Sequence, residues 1–172
     1  MMNRTSLAFA ALTALFATAP AHAGDLFGGV YVHDVKLPTD KSGLEQGVDF
    51  QVGYRGSGFL HTPLQPYGFV AVNSAGDTSY AAVGLSAKFG GAIYIRPGLG
   101  LAVHTGSAGK FYRLDKIAFG SRVLFEPELA IGTQLAPRIS VEASWVHMSH
   151  AQLFGHQNPG MDNLGVRLNF AL

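Results

Sequence analysis

The sequence predicts an all-β fold, an eight-stranded antiparallel transmembrane β-barrel preceded by a cleaved signal peptide. Three observations carry this expectation. Short segments of alternating apolar and polar residues recur at near-regular spacing, separated by clusters of Gly, Pro, Asn and Asp. No helical period sustains itself, and no longer repeat is present. After the first residues, no apolar stretch approaches the ~20 residues that a spanning helix needs. A closed barrel is then the remaining way to cross lipid, because closure satisfies every backbone polar group.

The chain has 172 residues, enough for one domain, expected at 24–172 after an N-terminal segment 1–23. That segment, MMNRTSLAFAALTALFATAPAHA, has a basic start at Arg4, an uncharged apolar run from Leu7 to Ala19, and an Ala21-His22-Ala23 ending. This is the pattern of a cleaved secretory signal, and the run is short for a spanning helix. An uncleaved anchor helix is the competing reading. The mature protein is expected to begin near Gly24 and to be exported. Cysteine is absent, so no disulfide supports the domain. The net charge of +1 gives no reason to expect a nucleic-acid partner. Charged residues make up 13% and Gly numbers 22, lean in charge and rich in Gly for a soluble globule.

The first expected strand, Leu26–His33, precedes a polar segment, Asp34–Gly47. In the second, Val48–Arg55, the apolar side Val48, Phe50, Val52 and Tyr54 alternates with Asp49, Gln51 and Arg55. The third and fourth, Leu64–Asn73 and Tyr80–Phe89, flank a turn-rich Ser-Ala-Gly-Asp segment. The fifth, Ala92–Thr105, sets Ile93, Ile95, Leu99, Leu101 and Val103 against Tyr94, Arg96 and His104. The sixth, Gly120–Leu135, sets Val123, Phe125, Leu129 and Ile131 against Arg122, Glu126 and Glu128. The seventh and eighth are Arg138–Ser149 and Asp162–Leu172.

A soluble sandwich or lipocalin-like barrel would also alternate, with its apolar face inward. Two features favour the membrane form. The polar face is Gly-rich yet carries both signs of charge: Asp49, Arg55, Lys88, Arg96, Arg122, Glu126, Glu128, Glu142 and Arg167. Such a set suits a narrow barrel interior where Arg and carboxylate pair. The connections also alternate in length. Asp34–Gly47, Gly106–Phe119 and His150–Met161 are long, whereas Gly90-Gly91 and Ala136-Pro137 are tight. This is the outer-membrane pattern of long outer loops and short periplasmic turns, although Gly56–Pro63 is long for such a turn. Eight strands leave no aqueous channel, which argues against a porin.

Along the seventh strand Ile139, Val141, Ala143 and Trp145 share one face, and His147 and Ser149 continue it. Arg138, Ser140, Glu142 and Ser144 share the other. Side chains alternate along a strand, so His147 and Ser149 should face lipid, with Cα atoms about 7 Å apart. In the eighth strand Leu164, Val166, Leu168, Phe170 and Leu172 face outward, and extending the series backward reaches Asp162. With both termini periplasmic, the three polar groups lie at the outer rim. There a charge on the lipid face costs ~0–1 kcal/mol, against ~2–4 kcal/mol for Lys or Arg at the midplane.

A serine, an imidazole and a carboxylate so placed suggest acyl transfer. Ser149 would attack an ester carbonyl, His147 would take its proton, and Asp162 would hold the imidazole's tautomer. Groups around Asn158 and Gly160 would donate to the oxyanion. From spacing alone a second reading stands beside it, a non-catalytic polar girdle at the membrane interface.

The terminal segment, HMSHA followed by QLFGHQNPGMDNLGVRLNF, resembles the outer-membrane lipid A 3-O-deacylases of the PagL type, a group that overlaps acyloxyacyl hydrolase-like sequences. That family has a His-x-Ser-Asn-Ala segment, a short Asn-containing loop, a carboxylate and a final strand. FEPELAIG and RISVEASWVH resemble its sixth and seventh strands, so the likeness covers roughly the last 50 residues. The resemblance implies that His147 and Ser149 are catalytic and that Asn158 assists the oxyanion. It places the acid, usually Glu in the family, on Asp162 if the loop is one residue longer. His150 stands where the family has Asn, a departure at a supporting position.

The resemblance further implies lipid A or lipopolysaccharide as substrate, outer-membrane lipids as surroundings, and no metal or organic cofactor. A homodimer is compatible with it. His147, His150 and His156 make a poor metal set, since the first two would point to opposite faces. GLGLAVHTG contains Gly-x-Gly but precedes no helix, so nucleotide binding is not expected. An adhesion or structural barrel and an outer-membrane phospholipase are the alternatives in function. Lys36 and Lys41 lie in a segment read as a solvated outer loop or as a contact for lipid A phosphates.

Overall fold

A computed structural model describes residues 24–37, 43–59, 62–109, 115–153 and 158–172. Segment 1–23, Asp40, Lys41 and His156 lie outside them. Eight strands run in sequence: β1 Asp25–Val32, β2 Val48–Arg55, β3 Leu64–Asn73, β4 Tyr80–Ala87, β5 Ile93–His104, β6 Val123–Ala136, β7 Ile139–Met148 and β8 Met161–Ala171. Each pairs antiparallel with the next, and β1 pairs with β8 to close the barrel. β4 breaks at Lys88, and Phe89–Gly90 continues its ladder against Ile95 and Tyr94.

Alternation sets the two faces. Leu26, Val30 and Val32 of β1, Ile93, Ile95, Leu99 and Leu101 of β5, and Leu164, Val166, Leu168 and Phe170 of β8 are all exposed on the wall. No helix among the described residues is long and apolar enough to cross a membrane. An outward apolar band on a closed barrel is what lipid requires, since neither an edge nor an unpaired backbone group is presented to hydrocarbon.

The interior is filled rather than hollow. Two inward glycines admit large rings: a Cβ on Gly132 would meet the Tyr94 ring at 2.5 Å, and one on Gly165 would meet Tyr31 at 2.5 Å. Below the mouth, Arg167 bridges Glu142 (Nε–Oε2, 2.8 Å) and Glu128 (Nη1–Oε2, 2.8 Å). Arg96 Nε reaches Glu142 at 2.9 Å, and Arg55 reaches Glu128 at 3.4 Å. Tyr67 donates to Glu126. Leu124, Val146, Met148, Met161, Ile117 and Phe119 close the interior as an apolar cluster with Tyr80.

Two residues expected inside this network lie elsewhere. Lys88 is exposed at the break in β4, with Nζ 4.0 Å from the Tyr94 ring centroid. Arg122 is exposed just before β6 and donates to the carbonyls of His104 (2.7 Å) and Gly106 (2.8 Å). Both have inward parity, but they fall past the ends of the ladder, where parity no longer dictates direction.

At the long-loop end, the first loop is tied down through its polar residues. Asp34, with left-handed φ of 48°, accepts from the amides of Gly43, Leu44 and Glu45 through Oδ2 at 2.7–2.9 Å. Its own amide donates to Asn163 Oδ1 at 2.9 Å. The buried His33 ring lies 2.9 Å from Asp49 Oδ2 and 3.2 Å from Glu45 Oε2. Burial by itself would lower this imidazole, but the Asp49 and Glu45 carboxylates raise it to about 9. Glu45 also accepts from the amides of Thr78 (3.0 Å) and Ile117 (3.2 Å), joining three loops. Burial alone would raise Glu45, but these hydrogen bonds and His33 bring it down to about 2.

Candidate active site on the outer wall

The candidate residues sit at the top of β7 and β8. In β7, Val146 and Met148 are fully buried inside, while Trp145 and His147 are half-buried on the outer side. Ser149 lies one residue beyond β7, yet the ladder still holds it. Its amide donates to Phe125 O at 3.1 Å, and its carbonyl accepts from Phe125 N at 2.8 Å. Ser149 therefore keeps the outward register, and only 8% of it is exposed.

His147 and Asp162 are directly opposed cross-strand partners. Asp162 Oδ1 lies 2.9 Å from His147 Nδ1 and accepts the Trp145 indole N–H at 2.7 Å. The Trp145 and His147 rings stack, with centroids 5.8 Å apart and planes at 29°. The His147 side chain is 23% exposed and that of Asp162 only 4%. The acid is thus sealed beneath two rings while the imidazole remains reachable. A neutral imidazole donating through Nδ1 carries its lone pair on Nε2, the form a general base requires. Among the described residues, no hydrogen bond joins Ser149 Oγ to the imidazole. Such bonds are often long before substrate binds.

The following loop turns sharply: Ala151 and Gln152 have φ of 52° and 61°. Asn158 lies beside this turn, and its Oδ1 accepts the His150 amide at 3.0 Å. His150 is buried, and its ring packs where a Cβ on Gly120 would lie 3.3 Å from Nε2. Gly160 is buried two residues before Asp162. The Asp162 carbonyl accepts from Val35 N at 2.6 Å, joining the site to the first loop.

Of the residues expected from sequence, His147 and Asp162 are in contact, Ser149 occupies the adjacent outward position, and Asn158 is joined to His150. Trp145 is an addition that the sequence reading does not supply. Its signal is present all the same, a tryptophan two residues before the histidine on the same face.

A family model described as lipid A 3-O-deacylase (PagL) matches residues 46–171. The chain belongs to this family. It is accordingly an ester hydrolase of the outer membrane, of a family that acts on lipid A. The matched range contains His147, Ser149, Asn158 and Asp162. The crystal structure of the outer membrane enzyme PagL superposes with a TM-score of 0.59 at 18% identity, covering 86% of this chain and 99% of that one. A de novo designed transmembrane β-barrel matches at TM-score 0.56 and 8% identity, over 90% and 98%. Neisserial surface protein A matches at 0.54 and 11%, over 87% and 98%. At these identities the structural likenesses establish the shared barrel alone. Comparison with curated protein sequences gives no significant match.

Proposed function

We propose that this protein hydrolyses the 3-O-linked acyl ester of lipid A at the outer leaflet, with Ser149 as nucleophile, His147 as base and Asp162 as the orienting acid. The observation that carries this reading is the outward His147–Asp162 contact of 2.9 Å with Ser149 held in the next outward position. Neither partner faces the filled interior, so the ester must come from the surrounding lipid.

In the first step Ser149 Oγ attacks the acyl carbonyl carbon and its proton passes to His147 Nε2. Asp162 stabilises the resulting imidazolium through Nδ1–H. Collapse of the tetrahedral intermediate breaks the bond to the sugar oxygen, which takes the proton from His147. Water then attacks the acyl-serine, giving its proton to His147, and Ser149 recovers a proton as the fatty acid leaves. Asn158 supports the oxyanion: with its Oδ1 engaged by the His150 amide, its two amide hydrogens remain as donors. The backbone of His150 thus does the holding, independently of its side chain. Groups around Gly160 are the further candidate donors to the oxyanion.

Export follows from segment 1–23 acting as a cleaved signal, so N-terminal sequencing of the membrane-inserted protein should begin at Gly24. Mass spectrometry of lipid A from cells producing the wild type or Ser149→Ala tests the reaction. Loss of one hydroxyacyl mass with the wild type alone supports it. Loss in both or in neither overturns it, and release of fatty acid from glycerophospholipid instead identifies a phospholipase.

A further inference from the structure

Resting on that reading, we infer that Trp145 is a positioning residue for the catalytic pair. It acts by pinning the Asp162 carboxylate and fixing the plane of the His147 ring. The three side chains form one unit on the outer wall. Asp162 stands directly opposite His147, and Trp145 opposite Leu164, so the indole reaches the carboxylate along the cross-strand diagonal. Both donors converge on the same oxygen, Oδ1, at 2.7 Å from Nε1 and 2.9 Å from Nδ1.

The arrangement resolves two problems together. An indole N–H between Leu129 and Leu164 needs an acceptor, because water is scarce on that wall. An aspartate is also one methylene shorter than glutamate and reaches less far towards an imidazole. A second donor from below holds the short carboxylate at the imidazole's edge, and the stacked ring, with planes at 29°, limits rotation of His147. A tryptophan that serves only as an interfacial anchor needs neither contact.

The test has two arms, and Trp145 is the only tryptophan in the chain, which makes its indole signal unambiguous. In the first, the 15N-labelled protein is folded in detergent micelles. Asp162→Asn should move the indole N–H resonance upfield through loss of the charged acceptor, while Ser149→Ala should leave it in place. An unmoved signal in Asp162→Asn overturns the role of Trp145. In the second arm, Trp145→Phe should lower kcat on lipid A by about 10–100-fold, the size expected for a hydrogen bond to a charged group, with KM within about twofold. Asp162→Glu should recover part of that loss when combined with Trp145→Phe, while lowering kcat when Trp145 is present. The two effects should depart from independence by at least about fivefold.

An unchanged kcat in Trp145→Phe, or a fall expressed in KM with Asp162→Glu acting independently, overturns the inference and leaves Trp145 as a lipid contact. Trp145→Leu, which likewise lacks a donor, provides the same comparison if the Trp145→Phe variant does not assemble. A fully active Ser149→Ala has a different meaning: it overturns the assignment of the reaction to this group, whatever the indole signal shows.

Discussion

Two carboxylate clusters, one inside the barrel and one on its wall, are built from similar parts and do different work. Inside, Glu142 accepts from Arg96 and Arg167, Glu128 from Arg55 and Arg167, and each of these five side chains is at most 2% exposed. On the wall, Asp162 is almost as well sealed, but one of its donors is an imidazole that is 23% exposed. In the interior the arginines are spent on the scaffold and enclosed by it. Outside, His147 spends Nδ1 on its acid and presents the rest of the ring to the membrane edge. The difference lies in access and in the choice of donor, since an imidazole has a second ring nitrogen that can accept where a guanidinium has none.

The largest effect that would break this contrast is catalytic. His147→Ala should lower kcat for lipid A deacylation by at least ~10⁴-fold, while the folded barrel keeps its unfolding midpoint in urea. Both should be measured on one preparation, by fatty-acid release and by the heat-dependent shift of gel mobility. Conversely, Arg167→Met takes from two buried carboxylates one arginine each, leaving Glu142 to Arg96 and Glu128 to Arg55, and should cost about 3–5 kcal/mol of stability, read as a lower urea midpoint. The specific activity of its folded fraction should be unchanged.

A smaller effect belongs to the third polar cluster, His33 with Asp49 and Glu45. The folded imidazole titrates at about 9, above its ordinary 6.5. Its contribution is therefore complete below about 6.5 and is lost as pH rises through about 9. On the order of 3 kcal/mol should disappear between about pH 6 and pH 10, and His33→Gln should abolish that difference in paired urea titrations. The smallest effect is at Lys88. Lys88→Gln, outside the network despite its inward parity, should change stability by no more than about 0.5 kcal/mol in the same titration.

Much of the fold is legible because lipid outside and packing inside impose opposite chemistry on adjacent residues. Val48–Arg55 and Leu64–Asn73 are read from alternation with the same ends that the structure shows. The rule loses force where the ladder ends, which is why parity alone puts Lys88 and Arg122 on the wrong side. The placement of the site is legible for the same reason: His147, Ser149 and Asp162 interrupt apolar series on two neighbouring strands. Their contacts are less so. That Asp162 faces His147 directly and Trp145 diagonally depends on register across a loop whose length does not specify it. The joining of loops through His33, Glu45 and Asp34 depends on backbone amides, which carry no residue-specific signal.

The filled interior and the outward-facing His147 have a kinetic consequence. A substrate that reaches a barrel wall travels within the leaflet, and its fatty-acid product departs along the same plane. The concentration that governs such an encounter is a number of lipids per unit area, not per unit volume. Diluting lipid A with inert detergent in mixed micelles should therefore slow turnover even when the bulk amounts of enzyme and substrate are held constant.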